Sequence, residues 1–267
     1  MSVSPQRIVC LSAEVADWLW RIGAWDKVAG VTTYFRQPAN ASPKPRVSGF
    51  SSANLKQIGK LKPDLIITFS DVQAKLADEL NRHGFEVLRT DQRTLAEVET
   101  TLALLARIVN REREGEKLLN EFRERIAPVK TKFCPRVYFE EWNEPFISGI
   151  AWISELIERA GGTDVFSNLR NRRAAAGRVV STEQILRADP EIILASWCGK
   201  PVSSAAIAAR PGWEKLPAIR NDRIHEIPGE DILQPGFRLA FGFERIKNFI
   251  LKTSHQASFG GGDDPNS

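Results

Sequence analysis

One short unit occurs twice, once in each half of the chain. Leu55-x-x-Ile58-x-x-Leu61-Lys62-Pro63-Asp64-Leu65-Ile66-Ile67 is echoed by Thr182-Glu183-Gln184-Ile185-Leu186-Arg187-Ala188-Asp189-Pro190-Glu191-Ile192-Ile193-Leu194. In each copy a helical pattern stops at a proline, whose ring removes a backbone N–H and disfavours α geometry in the residue before it. The proline and an acidic residue then lead into a strand that is apolar on both faces, as a buried parallel strand must be. Recurrence of one supersecondary unit in both halves predicts two similar lobes.

The surrounding pattern agrees. Arg7–Leu11, Val28–Thr32, Leu65–Phe69 and Phe85–Leu88 read as strands. They alternate with helices from the Ser12 cap to Trp20, over Leu55–Leu61, and over Val72–His83, the last closed by Gly84. Strand–helix alternation implies a parallel sheet with crossover connections. The rhythm breaks at 94–126, where Leu95, Val98, Leu102, Leu105, Val109, Leu118, Phe122 and Ile126 recur at helical spacing without a proline, behind a Thr94/Glu97 capping box. A single helix of that length would be a rod of about 50 Å, long enough to join two lobes. Alternation then resumes with strands at 136–140, 191–195 and 223–227, helices at 153–160 and 182–187, and a closing helix at 236–251. The fold class expected is therefore α/β: two Rossmann-like lobes with parallel sheets, joined by one long backbone helix, with a ligand cleft between them. The divisions are an N-terminal lobe at 1–93, the linking helix at 94–127, a C-terminal lobe at 128–252 and a disordered tail at 253–267.

Composition narrows the function. A net charge of +4 from 37 basic and 33 acidic side chains is too small for a nucleic-acid surface, and the run Arg170-Asn171-Arg172-Arg173 reads as a solvated loop. Cys10, Cys134 and Cys198 form no CxxC pair, and an odd count argues against a disulfide framework. No window spans a membrane. The N-terminus, Met1-Ser2-Val3-Ser4-Pro5-Gln6-Arg7, lacks the pattern of a signal peptide, so a cytoplasmic monomer is expected, with periplasmic placement as the alternative for a trimmed chain.

The opening strand with Leu11-Ser12, the Asn54-to-Ile67 unit, the long linking helix, and Phe146-x-Ser148-Gly149 before a helix ending Gly161-Gly162 together resemble one family. It is the group of cobalamin and ferric-siderophore substrate-binding proteins that serve ABC importers, and the similarity runs over residues 7–251. The resemblance implies a corrinoid ligand (cobalamin or cobinamide) with no intrinsic cofactor, and matches Tyr34, Phe50, Phe69, Phe146 and Arg238 to cleft positions. It also matches Glu183 to a permease-docking glutamate. Ala74 stands where the first lobe should carry the other, so importer docking is in doubt, and a carrier or sensor becomes the more economical reading.

The residues themselves point the same way. In doubly wound sheets ligands bind beyond the carboxyl ends of the strands. Trp142, Trp152 and Trp197 fall there or at the opening of the next helix, and offer flat apolar faces to a corrin or porphyrin. Trp18, Trp20, Trp25 and Trp213 are assigned to packing. Cys198 could supply a soft thiolate to cobalt or iron, or simply occupy a turn. Glu140 and Glu141 point to opposite faces of a strand and make a poor acid/base pair. His83 and His225 have no partner at metal-ligand spacing. Haem or ferric-siderophore binding remains the alternative within this fold. An enzyme using Cys198 with His225 or Glu140 is disfavoured, because there is no glycine-rich phosphate loop, nucleophile elbow or metal triad.

Overall fold

The computed structural model describes residues 4–131 and 133–259, and these divide into two compact units. Unit 1 comprises residues up to Arg123 together with a short returning segment, Gln234–Phe237; unit 2 comprises Glu124–Leu233 and the chain from Arg238.

Unit 1 is built from β1 (Ile8–Cys10), α1 (Ala13–Arg21), β2 (Val28–Thr32), β3 (Arg46–Ser48), α2 (Leu55–Leu61), β4 (Leu65–Phe69), α3 (Ala74–Arg82), β5 (Val87–Thr90), α4 (Leu95–Ile108) and α5 (Glu112–Arg125). Its sheet has the order β3-β2-β1-β4-β5, and every pairing is parallel. Val9, Leu11, Val47, Ile58, Ile66, Leu76 and Leu80 form the core on one face. Ser12 stands at the N-cap of α1 as expected, although its side chain makes no cap hydrogen bond. The fourth strand lies two residues further on than Phe85–Leu88, and the Val72–His83 helix is a 3-10 turn, Asp71–Gln73, followed by α3.

Unit 2 contains β6 (Arg136–Asn143), β7 (Phe146–Ser148), α6 (Ala151–Arg159), β8 (Thr163–Asp164), α7 (Thr182–Ala188), β9 (Ile192–Ala195), α8 (Ser204–Ala208), α9 (Pro217–Arg220), β10 (Ile224–Glu226), α10 (Gly229–Ile232) and α11 (Leu239–Phe259). Its sheet runs β10-β9-β6-β7, with β8 also paired to β6. Only β7, a short return of β6, is antiparallel among these strands. The closing helix starts at Leu239 rather than Gly236. It continues through Phe259, so the tail expected from Ser254 is helical up to there, and residues 260–267 lie outside the described residues.

The repeated unit is reproduced down to its backbone. α2 ends on Lys62 and α7 on Asp189, both left-handed at φ 46° and ψ 57°, before the proline that leads into β4 or β9. The capping box at the start of α4 is also present: Glu97 N–H donates to Thr94 Oγ1 at 3.2 Å, and Thr94 N–H to Glu97 Oε2 at 3.1 Å.

The expected rod does not form. Residues 94–126 make two helices, α4 and α5, separated by a turn at Asn110, which adopts a left-handed φ of 56°. The second helix folds back along the first: Arg123 Nε reaches Glu99 Oε2 at 2.6 Å, and a Cβ placed on Gly115 would lie 2.5 Å from that of Ala106. The missing side chain at Gly115 is what allows the backbones to approach. Asn110 is a left-handed helix stop, and the acidic Glu112 and Glu114 suit the start of a new helix dipole. The apolar period ran through this turn because both helices bury the same side.

Candidate functional site

Parallel sheets send consecutive chain reversals to the same edge, so the loops after β1–β5 collect at one end of unit 1. Tyr34 follows β2 and Phe50 follows β3. They are 48% and 53% exposed, with rings edge-on at 6.1 Å. Free aromatic area of this size costs solvation unless something covers it. Phe69, the last residue of β4, carries the Arg93 guanidinium 5.5 Å from its ring, and Arg93 is held in place by Asp71 at 2.6 Å and Asp91 at 2.9 Å. Gln73, absent from the expectations, ties this end together. Its buried amide donates to Leu11 O at 3.0 Å and Phe50 O at 2.8 Å and accepts from Phe69 N–H at 2.9 Å. One side chain thus fixes the loops after β1, β3 and β4.

The same end of unit 1 hides a carboxylic acid. Glu14, in the first turn of α1, is buried, and its Oε1 has no partner among the described residues. Burial raises its pKa from 4.5 to about 7, against opposing hydrogen bonds from its own backbone and the Ser12 hydroxyl. Burial, and then the Glu14 charge, also push the Cys10 thiol up. Gly236 packs directly on Glu14, with a built Cβ only 2.8 Å from the Glu14 Cβ. A depression of about 600 Å³ lined by Trp20, Trp25 and Arg111 lies at the amino ends of the strands and contains none of the expected binding residues.

In unit 2 the ends of β6 and β9 meet. Trp197 is 7% exposed and donates its indole N–H to Glu140 Oε1 at 3.0 Å. Glu140, fully buried, also takes a bidentate contact from Arg210 at 2.6 and 2.9 Å and the Tyr138 hydroxyl at 3.3 Å. The Arg210 guanidinium in turn lies 4.5 Å from the ring centroids of both Phe146 and Trp213. Glu140 is thus the buried anchor of an aromatic platform. Glu141 points the other way and is paired with the buried Arg178 at 2.7 and 3.1 Å. Trp142, half-buried, faces the Lys200 ammonium at 4.2 Å.

Other expected residues fall less favourably. Trp152 is 3% exposed with its N–H donated to Ile232 O at 2.8 Å, which is a packing role. Phe146 is partly buried and packs against the core cluster around Trp213. Arg238 is partly exposed and oriented by Asp231 Oδ1 at 2.5 Å and Glu230 O at 3.2 Å. Cys198 lies in an exposed turn, and partial desolvation followed by the Glu141 charge raise its thiol pKa, so at neutral pH it is a thiol rather than a ready thiolate. His225 stacks flat on Phe249 at 3.9 Å. Arg170 of the basic loop pairs with Glu158 at 2.8 Å. Glu183 is fully exposed in the first turn of α7, with the Ser181 hydroxyl and its own N–H holding its carboxyl below the usual range. Ala74 begins α3. Among the described residues there is no metal-ligating cluster of three, and no helix long and apolar enough to cross a membrane.

Two α/β units with aromatic groups at the ends of largely parallel strands have the make-up of a small-molecule binding protein. The chain belongs to the periplasmic binding protein family, whose pattern matches residues 8–230. It is similar to the vitamin B12-binding protein of Vibrio cholerae, at 26% identity over 92% of this chain and 89% of that one. It is also similar to YvrC of Bacillus subtilis, an uncharacterised ABC transporter substrate-binding lipoprotein, at 23% identity over 92% and 80% of the two chains. Among solved structures, the periplasmic heme-binding protein RhuT from Roseiflexus shares the fold, with a TM-score of 0.78 at 19% identity over 93% of this chain and 99% of that one. The cytoplasmic placement expected from the N-terminus is overturned by this membership: the family is one of periplasmic and lipoprotein binders, which work outside the cytoplasm. The first residues of the sequence do not decide where the folded part works.

Proposed function

We propose that this protein binds a corrinoid of the cobalamin type, for which unit 1 offers Tyr34, Phe50 and Phe69 at its strand ends, and unit 2 offers Trp142, Phe146 and Trp197, with Arg238 and the Cys198 turn, at its own. The observation that carries this reading is the exposed Tyr34–Phe50 pair, 48% and 53% accessible, at the carboxyl edge of an all-parallel sheet. Similarity to a protein named for vitamin B12 binding supports the corrinoid over other flat ligands. Haem is the second reading, favoured by the fold shared with a heme-binding protein. Delivery to an ABC permease is part of the proposal. Glu183, exposed at a helix start, is its docking carboxylate in unit 2, whereas Ala74 offers none in unit 1.

The test is a calorimetric and visible-absorption titration with cobalamin, cobinamide, haem and a ferric siderophore. Tight one-to-one corrinoid binding is expected. Phe50→Ala and Trp197→Ala should each weaken it by about 1–3 kcal/mol, as loss of a buried aromatic anchor does. Cys198→Ser should leave the cobalt spectrum unchanged, given its raised thiol pKa. Absence of binding to all four ligands, or unchanged affinity in both aromatic variants, refutes the assignment.

A further inference from the structure

The turn after β9 places a cation against two indoles. Lys200 Nζ lies 4.2 Å from the centroid of Trp142 and 5.1 Å from that of Trp197, and donates to Asn143 Oδ1 at 2.6 Å. This ammonium has no carboxylate partner among the described residues, and the neighbouring acids are already committed. Glu140 is neutralised by Arg210, Glu141 by Arg178, and Glu226 accepts from Val202 N–H. The nearby Cys198 thiol is protonated. The result is an ammonium fixed on the edge of an aromatic platform without a direct ion pair among the described residues, with donor capacity beyond its one bond to Asn143. A cation on an indole face is fixed in position by the ring quadrupole while remaining open to an anion on its other side. Partial desolvation by the rings strengthens any such contact relative to bulk water.

We infer that Lys200, seated between Trp142 and Trp197, selects ligands that carry an anionic group beside their flat ring system. This rests on the corrinoid or haem reading above and specifies which member of each pair is preferred. Cobalamin bears a phosphodiester in its nucleotide loop, whereas cobinamide lacks it. Haem bears propionates, and its dimethyl ester does not. The indoles hold the ammonium in place and the ammonium meets the anion, so the charged member of each pair binds more tightly.

The experiment measures dissociation constants for all four compounds with the full chain, its Lys200→Met variant and its Lys200→Arg variant, at low and high salt. Lys200→Met removes the charge and keeps an apolar stem over the rings; thermal melts of this exposed-site variant should match the wild type. For the class of macrocycle that binds, wild type should favour the anionic member. Lys200→Met should lose about tenfold on that member and less than twofold on the other, Lys200→Arg should restore the preference, and raised salt should narrow it. If Lys200→Met changes both members of the pair equally, or neither, the inference is overturned while the binding function stands. If wild type binds none of the four, the binding assignment itself fails and takes this inference with it.

Discussion

Glu14 should make the stability of unit 1 depend on pH in a direction opposite to that of an ordinary surface carboxylate. Its pKa is raised from 4.5 to about 7 by burial. Between those values the folded chain holds a proton that the unfolded chain has released, so stability falls as pH rises. The favourable contribution is complete below pH 4.5 and lost as pH passes about 7. The difference between 4.5 and about 7 corresponds to about 3 kcal/mol, a large share of the total for a domain of this size. The clean comparison is wild type against Glu14→Gln, which keeps the volume and removes the titration, so that every other group cancels in the difference. Urea unfolding followed by tryptophan fluorescence at half-unit steps from pH 5 to pH 8 reads it. Relative to wild type, Glu14→Gln should gain about 2–3 kcal/mol across that range, with most of the change below pH 7.5. A difference that stays constant within about 0.5 kcal/mol would mean that Glu14 finds a partner or water when ionised, and the argument from burial would be wrong.

Arg210→Met leaves Glu140 buried without its guanidinium, which should cost about 3–5 kcal/mol and lower the melting transition of unit 2, about 140 residues, by roughly 10–17 °C in calorimetry; a loss below 1 kcal/mol would refute the anchoring role. Gln73→Leu strips three contacts from the strand-end loops, and should weaken corrinoid binding about tenfold when measured by calorimetry. In a Phe50→Ala background the same substitution should add little, and fully additive losses would show that Gln73 does not act through the Phe50 loop.

Much of the architecture was legible because burial on both faces leaves a plain mark. Val28–Thr32 and Leu65–Phe69 match their strands end to end, and Leu55–Leu61 its helix. Elements held by neighbours rather than by their own apolar content were not legible. β3 is three residues long and begins on an exposed arginine, and β8 is two. Asn110 did carry a signal, since an asparagine followed by acidic residues is a helix stop and restart, but the continuous apolar period on either side masked it. The aromatic strand ends were found from position alone. Their supports were not: Glu140 and Arg210 stand seventy residues apart, and no spacing rule pairs them. Lys200 carried no signal of its own until the folded turn set it between Trp142 and Trp197.

The short return of the chain at Gln234–Phe237 bears on how this protein can be made. Unit 1 is not finished at Arg123, because Phe237 supplies the ring beside Phe122, at 6.1 Å, and beneath the Arg21 guanidinium, at 4.6 Å. During synthesis the first unit must therefore wait for residue 237, by which time every strand of the second has left the ribosome. Unit 1 therefore completes its packing only after the strands of the second unit are made, against the usual N-terminal-first order. A fragment cut at Arg123 would display an apolar scar where Phe237 belongs.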